Sequence, residues 1–162
     1  NFLRIVKDGE PVEMKQPATD PLSIISAGKA TGKLFGGNLS VWCSLAGTGY
    51  LPDIRNALFF FEETEEEPYR VDRMLTQLDL LNGIATASGI IVGKCTKCDT
   101  EEPDKSFTLD EVYRQKFTDL TVPVATGFSF GHVRDKFTFP VGAPAIFDTA
   151  ANSVKLLQSC VV

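Results

Sequence analysis

Four consecutive apolar residues, Leu58 to Phe61, are followed directly by two carboxylates, Glu62 and Glu63. An apolar run of this length predicts a buried strand, and this strand ends at an acid. Ligands and reacting groups in α/β folds collect at such strand ends. Glu62 is therefore a candidate functional residue, and the alternative is that it belongs to a solvated acidic run.

Apolar residues at helical spacing predict three helices, each with a recognisable N-terminal signal. Asn38 is a good N-cap for the first helix, and Pro68 suits the first turn of the second. Thr108 and Glu111 form a capping box at the start of the third. The acids at 65–67 precede the second helix, where the helix dipole favours them. The predicted helices span about 38–45, 68–82 and 108–120.

Short apolar segments alternate with these helices and continue after the third, which predicts strands. Alternation through the middle of the chain, with strands alone at the end, predicts an α/β fold. Its sheet should have a mostly parallel core with antiparallel additions. Besides 58–61, the predicted strands span 22–25, 84–92, 122–126, 136–139, 145–147 and 154–157.

Residues 1–21 carry Pro11, Pro17 and Pro21, a composition typical of a connecting arm rather than of a core. We expect this arm to lead from an upstream domain into a single domain at 22–162. The chain begins at Asn1 with neither a starting methionine nor a signal peptide, which predicts a piece of a longer protein.

Gly36 and Gly37 stand immediately before the predicted N-cap Asn38. A glycine pair permits a tight turn, so we expect the chain to turn here into the first helix. The alternative interpretation is a backbone nest that binds a phosphate or an oxyanion at the helix N-terminus.

Composition and charge exclude some classes of function. A chain of 162 residues, 43% of them hydrophobic, is long enough for one domain with a proper core. The net charge of −5 argues against a nucleic-acid surface. An unbroken apolar run of about 18 residues does not occur, so no membrane span is predicted.

Cys95 and Cys98 form a lone CxxC pair among the four cysteines. A structural zinc site would need a second pair of ligands at suitable spacing, so a loop with two free thiols is the favoured interpretation. A redox or metal site is the alternative, and no metal or cofactor is predicted. The cysteines weakly favour a reducing compartment, hence a cytoplasmic protein, with export left open.

Ser129 lies in Gly127-Phe-Ser-Phe-Gly131, which matches the G-x-S-x-G nucleophile elbow. An elbow requires a strand that turns sharply into a helix. The residues that follow contain Pro140, Gly142 and Pro144, and they alternate like a strand, so they cannot form that helix. We therefore reject Ser129 as a nucleophile.

His132 is the only histidine of the chain and lies in a glycine-containing loop after the predicted strand at 122–126. A single histidine is commonly incidental. Here it is the only imidazole available for general-base chemistry near neutral pH, and a candidate acid also lies at a strand end.

Several motifs, in order along the chain, resemble the C-terminal domain of LD-carboxypeptidases. The resemblance covers about residues 28–148. It is carried by Gly32-Lys-Leu-Phe-Gly-Gly-Asn-Leu-Ser40, Leu45-Ala-Gly-Thr48, Leu51-Pro-Asp53, Leu58-Phe-Phe-Phe-Glu-Glu-Thr-Glu-Glu-Glu-Pro-Tyr-Arg70, Asp72-Arg-Met-Leu-Thr-Gln-Leu78, Gly89-Ile-Ile-Val-Gly93, Pro123-Val124, Gly131-His132 and Phe139-Pro-Val-Gly142.

The resemblance implies a swivelling β/β/α-type domain that supplies two members of a Ser-Glu-His triad. It places the acid at Glu62 and the base at His132, while the nucleophile would lie on a Gly-x-Ser-Asp elbow in an N-terminal domain upstream of Asn1. The family pattern usually continues with aspartate where this chain has Glu63. Arg70 and Arg73 are further candidates for binding a substrate carboxylate, with helix-surface ion pairs as the alternative.

The function implied is that of a serine-type carboxypeptidase of cell-wall recycling, which removes the terminal D-Ala from murein tetrapeptides. One alternative is a hydrolase of microcin C-type peptide-nucleotides, and another is a binding module without catalysis. The expected partners are the N-terminal domain and the murein peptide, with a homodimer as an option. The chain alone is expected to be inactive.

Overall fold

A mixed sheet with four parallel strands at its centre organises the structure, a computed structural model that describes residues 2–161. The strands are β1 (Glu13–Lys15), β2 (Ser23–Ser26), β3 (Lys29–Asn38), β4 (Leu58–Glu62), β5 (Gly89–Lys94), β6 (Val124–Gly131), β7 (Pro144–Asp148) and β8 (Ser153–Leu156). The helices are α1 (Phe2–Val6), α2 (Leu39–Ser44), α3 (Pro68–Asn82) and α4 (Leu109–Phe117), with a 3₁₀ turn at Ile84–Thr86.

Within residues 2–161 the eight strands lie in the order β1-β8-β7-β3-β4-β5-β6-β2. Strands β3, β4, β5 and β6 pair in parallel. The other pairings, including β2 with β6 and β7 with β3, are antiparallel. The predicted α/β fold, with a mostly parallel core and antiparallel additions, is confirmed.

Strand β4 lies at the centre of the sheet and is buried on both faces. Phe59 and Phe61 face the helices α2, α3 and α4. Leu58 and Phe60 face the opposite core, which also contains residues of α1, β1, β7 and β8. Burial on both sides explains why four consecutive apolar residues precede Glu62, because successive side chains of a strand point to opposite faces.

The predicted helices agree well with the structure. Asn38 caps α2 by accepting a hydrogen bond from Val41 N, and Gly83 ends α3 in the left-handed conformation. Thr108 and Glu111 form the expected capping box of α4, which ends at Phe117. No helix among residues 2–161 combines the length and apolar character needed to cross a membrane.

The expected tight turn at Gly36 and Gly37 is wrong, because both residues lie inside the long strand β3. This strand pairs with β7 through Lys29–Lys33 and with β4 through Leu34–Asn38. Gly36 is required there by a close approach: a Cβ built on it would lie 1.6 Å from the Phe60 carbonyl oxygen. The glycines thus allow two central strands to pack closely rather than making the chain turn.

The expectation that residues 1–21 lie outside the core is also wrong. Ile5, Val12 and Met14 are buried in the core opposite the helices, and β1 forms an edge of the sheet against β8. Val12 and Met14 occupy alternate positions, so both side chains point to the same face of the segment. This is enough to bury that face in the core, because a strand with one buried face needs only every second residue to be apolar. That these residues connect to an upstream domain stays a prediction.

Two strand predictions need correction. Residues 136–139 do not form a strand, although Phe139 packs against Phe60 with ring centroids 5.2 Å apart. The segment predicted as a strand at 84–92 begins with the 3₁₀ turn, and β5 starts only at Gly89. At residues 136–139, the alternating aromatic side chains pack against the core although the segment does not pair as a strand.

Replacing Gly36 with alanine should lower the free energy of unfolding by about 3 kcal/mol, because the new methyl group would press on the Phe60 carbonyl. The control is Gly37→Ala, which has a similar backbone angle (φ 155° against 151°) but no atom within 4 Å of the added Cβ. Urea unfolding of both variants should show a clearly smaller loss for the control. Equal losses would contradict the close-approach explanation.

Candidate active site

Glu62 is the last residue of β4, and its side chain is only 9% exposed. Alternation along the strand directs Glu62 to the same side as Leu58 and Phe60, away from the helices. A buried carboxylate is costly unless it is paired, so its partner defines its role.

The partner of Glu62 is His132. The two residues are separated by 70 positions, yet Glu62 Oε2 lies 2.8 Å from His132 Nδ1. The strand between them, β5, separates β4 from β6 in the sheet. The end of β6 must therefore cross the end of β5 to bring the imidazole to the carboxylate.

Gly131 makes this crossing sterically possible. Its φ is +111°, and a Cβ built on it would lie 2.7 Å from Glu62 Oε2 and 3.0 Å from the Lys94 carbonyl oxygen. Any side chain at this position would collide with the carboxylate that His132 contacts. The close approach of the Glu62 carboxylate thus explains why a glycine precedes His132.

The geometry prepares His132 for proton transfer. A carboxylate group facing Nδ1 favours the tautomer with its hydrogen on Nδ1, and in that tautomer Nε2 is free to act as a base. The His132 side chain is 58% exposed, whereas Glu62 is almost fully covered. The pair therefore combines a fixed, buried acid with an imidazole that an incoming group can reach.

Glu63 has a different environment from its neighbour and is only 2% exposed. Its Oε2 accepts a hydrogen bond from Ser40 N (2.7 Å), and its Oε1 accepts from Asn38 Nδ2 (2.8 Å) and Thr64 N (2.9 Å). Ser40 and Asn38 belong to the start of α2 and its cap, and Thr64 is the residue that follows Glu63. The anion at this helix N-terminus is therefore the protein's own carboxylate, which accounts for the Gly-Gly-Asn motif without a ligand.

Two further acids of the run make ion pairs at the surface. Glu65 lies 2.7 Å from Lys97, and Glu66 lies 3.2 Å from Arg70 four residues along α3. Arg73 stacks over the ring of Tyr69. Arg70 thus has the helix-surface pairing that was the alternative to a substrate role.

Cys95 and Cys98 are free thiols that face the core. Cys95 Sγ accepts a hydrogen bond from the Tyr113 hydroxyl at 3.0 Å, and burial raises the pKa of the Cys95 thiol to about 12. Burial also raises the pKa of Cys98, whose side chain is fully covered. Protonated thiols are poor nucleophiles and metal ligands, so this loop has the character of a structural element.

Ser129 lies within β6, and the residues after it do not form a helix. Its hydroxyl accepts a hydrogen bond from Gln16 Nε2 (3.0 Å) and donates to Asp20 Oδ2 (3.3 Å). The G-x-S-x-G match is therefore not a nucleophile elbow. The glycines at 127 and 131 serve the irregular end of β6 instead.

Gln16, Asp20 and Lys94, which no sequence motif singled out, lie close to the end of β6 that precedes His132. Gln16 is 4% exposed. A signal was available, since Val12, Met14 and Gln16 repeat every second residue and all three are buried. A polar residue at a buried strand position requires hydrogen-bond partners in the core.

Comparison with known proteins gives the family. The family model for the LD-carboxypeptidase C-terminal domain matches residues 31–147. A probable murein peptide carboxypeptidase of Bacillus subtilis is 38% identical over 133 residues, which cover 82% of this chain and 42% of that protein. The microcin C7 self-immunity protein MccF of Escherichia coli is 25% identical over 82% of this chain and 38% of its own length.

Solved structures show the same fold. The crystal structure of a muramoyltetrapeptide carboxypeptidase from Oxalobacter formigenes superposes with a TM-score of 0.76 at 30% identity, covering 96% of this chain and 51% of that one. MccF superposes with a TM-score of 0.78 at 24% identity over 88% of this chain, which shows the fold alone.

The chain thus spans about half the length of the relatives it matches. The match covers β4, which ends at Glu62, and it continues past His132 into β7. By sequence and by fold, this chain belongs to the family of LD-carboxypeptidase C-terminal domains.

Proposed function

We propose that this chain is the C-terminal catalytic half of a serine-type LD-carboxypeptidase, with Glu62 and His132 as two members of a Ser-Glu-His triad. The observation that carries the proposal is the 2.8 Å contact between Glu62 Oε2 and His132 Nδ1. A carboxylate on Nδ1 and an accessible Nε2 are the two features that a histidine base requires.

The serine comes from the N-terminal domain of the same protein. Its hydroxyl is a weak nucleophile until an imidazole takes its proton. His132 Nε2 accepts this proton as the serine oxygen attacks the carbonyl carbon of the scissile bond. Glu62 stabilises the imidazolium that forms and keeps the hydrogen on Nδ1.

The second half of the reaction uses the same proton. The His132 imidazolium returns it to the leaving amino group, so the C–N bond breaks and the amino acid departs. A water molecule then loses its proton to Nε2 as it attacks the acyl-enzyme, and the serine recovers that proton. Glu62 keeps its charge throughout.

The substrate is a murein tetrapeptide, which loses its terminal D-Ala across an L,D-peptide bond. The names of the relatives support this choice, since one is a probable murein peptide carboxypeptidase and another a muramoyltetrapeptide carboxypeptidase. The microcin-type hydrolase is the second candidate, and the lower identity to MccF makes it the weaker one. Turnover of a tetrapeptide and of an aminoacyl sulfamoyl adenosine, measured side by side, separates the two.

A cytoplasmic location is part of the proposal. The cysteines of the described chain are free thiols, which fits a reducing compartment. A protein that acts on recycled murein peptides would meet its substrate there.

In the full-length enzyme, His132→Ala and Glu62→Gln should each lower kcat by about a thousandfold, because the serine loses its base or the base loses its orientation. Both variants should remain folded by circular dichroism. The matched control is Glu102→Gln, an exposed carboxylate paired with Lys105, which should leave kcat unchanged. Near-normal kcat for Glu62→Gln would contradict the assignment of the triad acid.

Glu63→Gln should act on stability instead. Loss of charge at the start of α2 weakens the bonds to Ser40 N and Asn38 Nδ2, which should lower the free energy of unfolding by about 1–3 kcal/mol. At temperatures where the variant is folded, kcat should exceed that of Glu62→Gln by at least about tenfold. A severe loss of kcat for Glu63→Gln beside a silent Glu62→Gln would show that the two roles are reversed.

The 162-residue chain alone should not release D-alanine from muramoyl tetrapeptide, whereas the full-length protein should. The chain contributes the base and the acid, and without the serine no acyl-enzyme can form. The measurement is D-alanine release at equal molar concentrations of chain and full-length enzyme. Serine-dependent hydrolysis by the chain alone would contradict the divided triad.

A further inference from the structure

We propose that Gln16, Asp20 and Lys94 are positioning residues that hold the end of β6 so that His132 meets Glu62. Together with Ser129 they form a hydrogen-bonded group, which we call the brace. Its kinetic consequence rests on the proposed function. Its effect on the geometry of His132 does not, and can be measured separately.

The brace lies where regular sheet pairing of β6 stops. On one side, β6 pairs with β2 only as far as Thr126. On the other side, its register against β5 shifts twice, between Val92 and Gly93 and again between Gly93 and Lys94. The last residues of β6 therefore lack a regular ladder, although they lead directly to His132.

Gln16 replaces part of the missing ladder. Its Oε1 accepts a hydrogen bond from Ser129 N (3.0 Å), as a neighbouring strand carbonyl would. Its Nε2 lies 3.0 Å from Ser129 Oγ and 2.9 Å from Asp20 Oδ2. On the carbonyl side, Phe137 N donates to Ser129 O at 2.6 Å. The backbone N–H and C=O of Ser129 are thus hydrogen-bonded to Gln16 and Phe137, which lie outside the neighbouring strands β2 and β5.

Asp20 connects this point to the end of β5. Its Oδ2 accepts from the Ser129 hydroxyl, and its Oδ1 lies 2.5 Å from Lys94 Nζ. Lys94 is paired in register with Gly131, the residue before His132. The Lys94 ammonium lowers the pKa of the Asp20 carboxyl, and the hydrogen bonds from Ser129 and Gln16 lower it further.

The brace fixes the position of His132 and contributes little to the stability of the fold. The Lys94 and Asp20 side chains are 31% and 44% exposed, and ion pairs at this exposure contribute little to folding. Only two residues separate Ser129 from His132, so a shift of Ser129 moves the imidazole. Misplacement of a catalytic group by about 1 Å can cost about a hundredfold in rate.

Because the chain has one histidine, its imidazole nitrogens can be observed without overlap by long-range ¹H–¹⁵N correlation of the 162-residue chain. In the unsubstituted chain the Nδ1–H tautomer should dominate, since Glu62 accepts from Nδ1. Asp20→Asn and Lys94→Met should make Nδ1–H the minor tautomer, whereas Lys94→Arg should preserve it. Lys29→Met, which removes a 3.0 Å pair with Asp148 on another part of the sheet, is the matched control.

In the full-length enzyme, Asp20→Asn and Lys94→Met should lower kcat by about ten- to a hundredfold at unchanged KM, and Lys94→Arg should restore most of the loss. An unchanged tautomer in both variants would overturn the brace. A changed tautomer with unchanged kcat would support the brace and overturn the catalytic role of His132. A KM effect alone would overturn the positioning role.

Discussion

One hydrogen bond, between Glu62 Oε2 and His132 Nδ1, sets the requirements for this end of the sheet. Glu62 ends β4 and His132 directly follows β6, and these two strands are not neighbours, so the end of β6 must bend across the end of β5 to form the bond. The register shifts of β6, the positive φ of Gly131 and the hydrogen bonds around Ser129 all serve this bend. These irregularities lie within a few residues of His132, as expected where a strand gives up regular pairing so that a side chain can point in a particular direction.

Two adjacent carboxylates have separate roles because a strand alternates its faces. Glu62 follows the side of Phe60 and meets the imidazole. Glu63 turns to the helix side and binds the start of α2. Neither acid is left unpaired in the interior, where an isolated charge would be costly. The same alternation supports Glu62, rather than Glu63, as the acid of the proposed triad.

The Glu62 and His132 side chains differ in solvent exposure, and this difference suits an enzyme assembled from two domains. The Glu62 carboxylate is covered and held at the end of a central strand, while more than half of the His132 side chain is exposed. Such a surface supports the proposal that the nucleophile approaches from elsewhere in the protein. It also makes the position of His132 depend on local bracing, since solvent gives a side chain no fixed orientation.

The sequence alone determined the helices α2, α3 and α4, the central strand and the two site candidates, because these rest on local signals: caps, periodicity and an acid after an apolar run. It did not predict α1. It did not reveal that Gly36 lies in a strand, that Val12 and Met14 are core residues, or that Gln16 supports β6. Those features depend on contacts between segments far apart in the chain, such as the approach of Gly36 to Phe60. The distance between Glu62 and His132 was likewise decided only by the tertiary structure, because strand order and register, not spacing along the chain, bring two strand ends together.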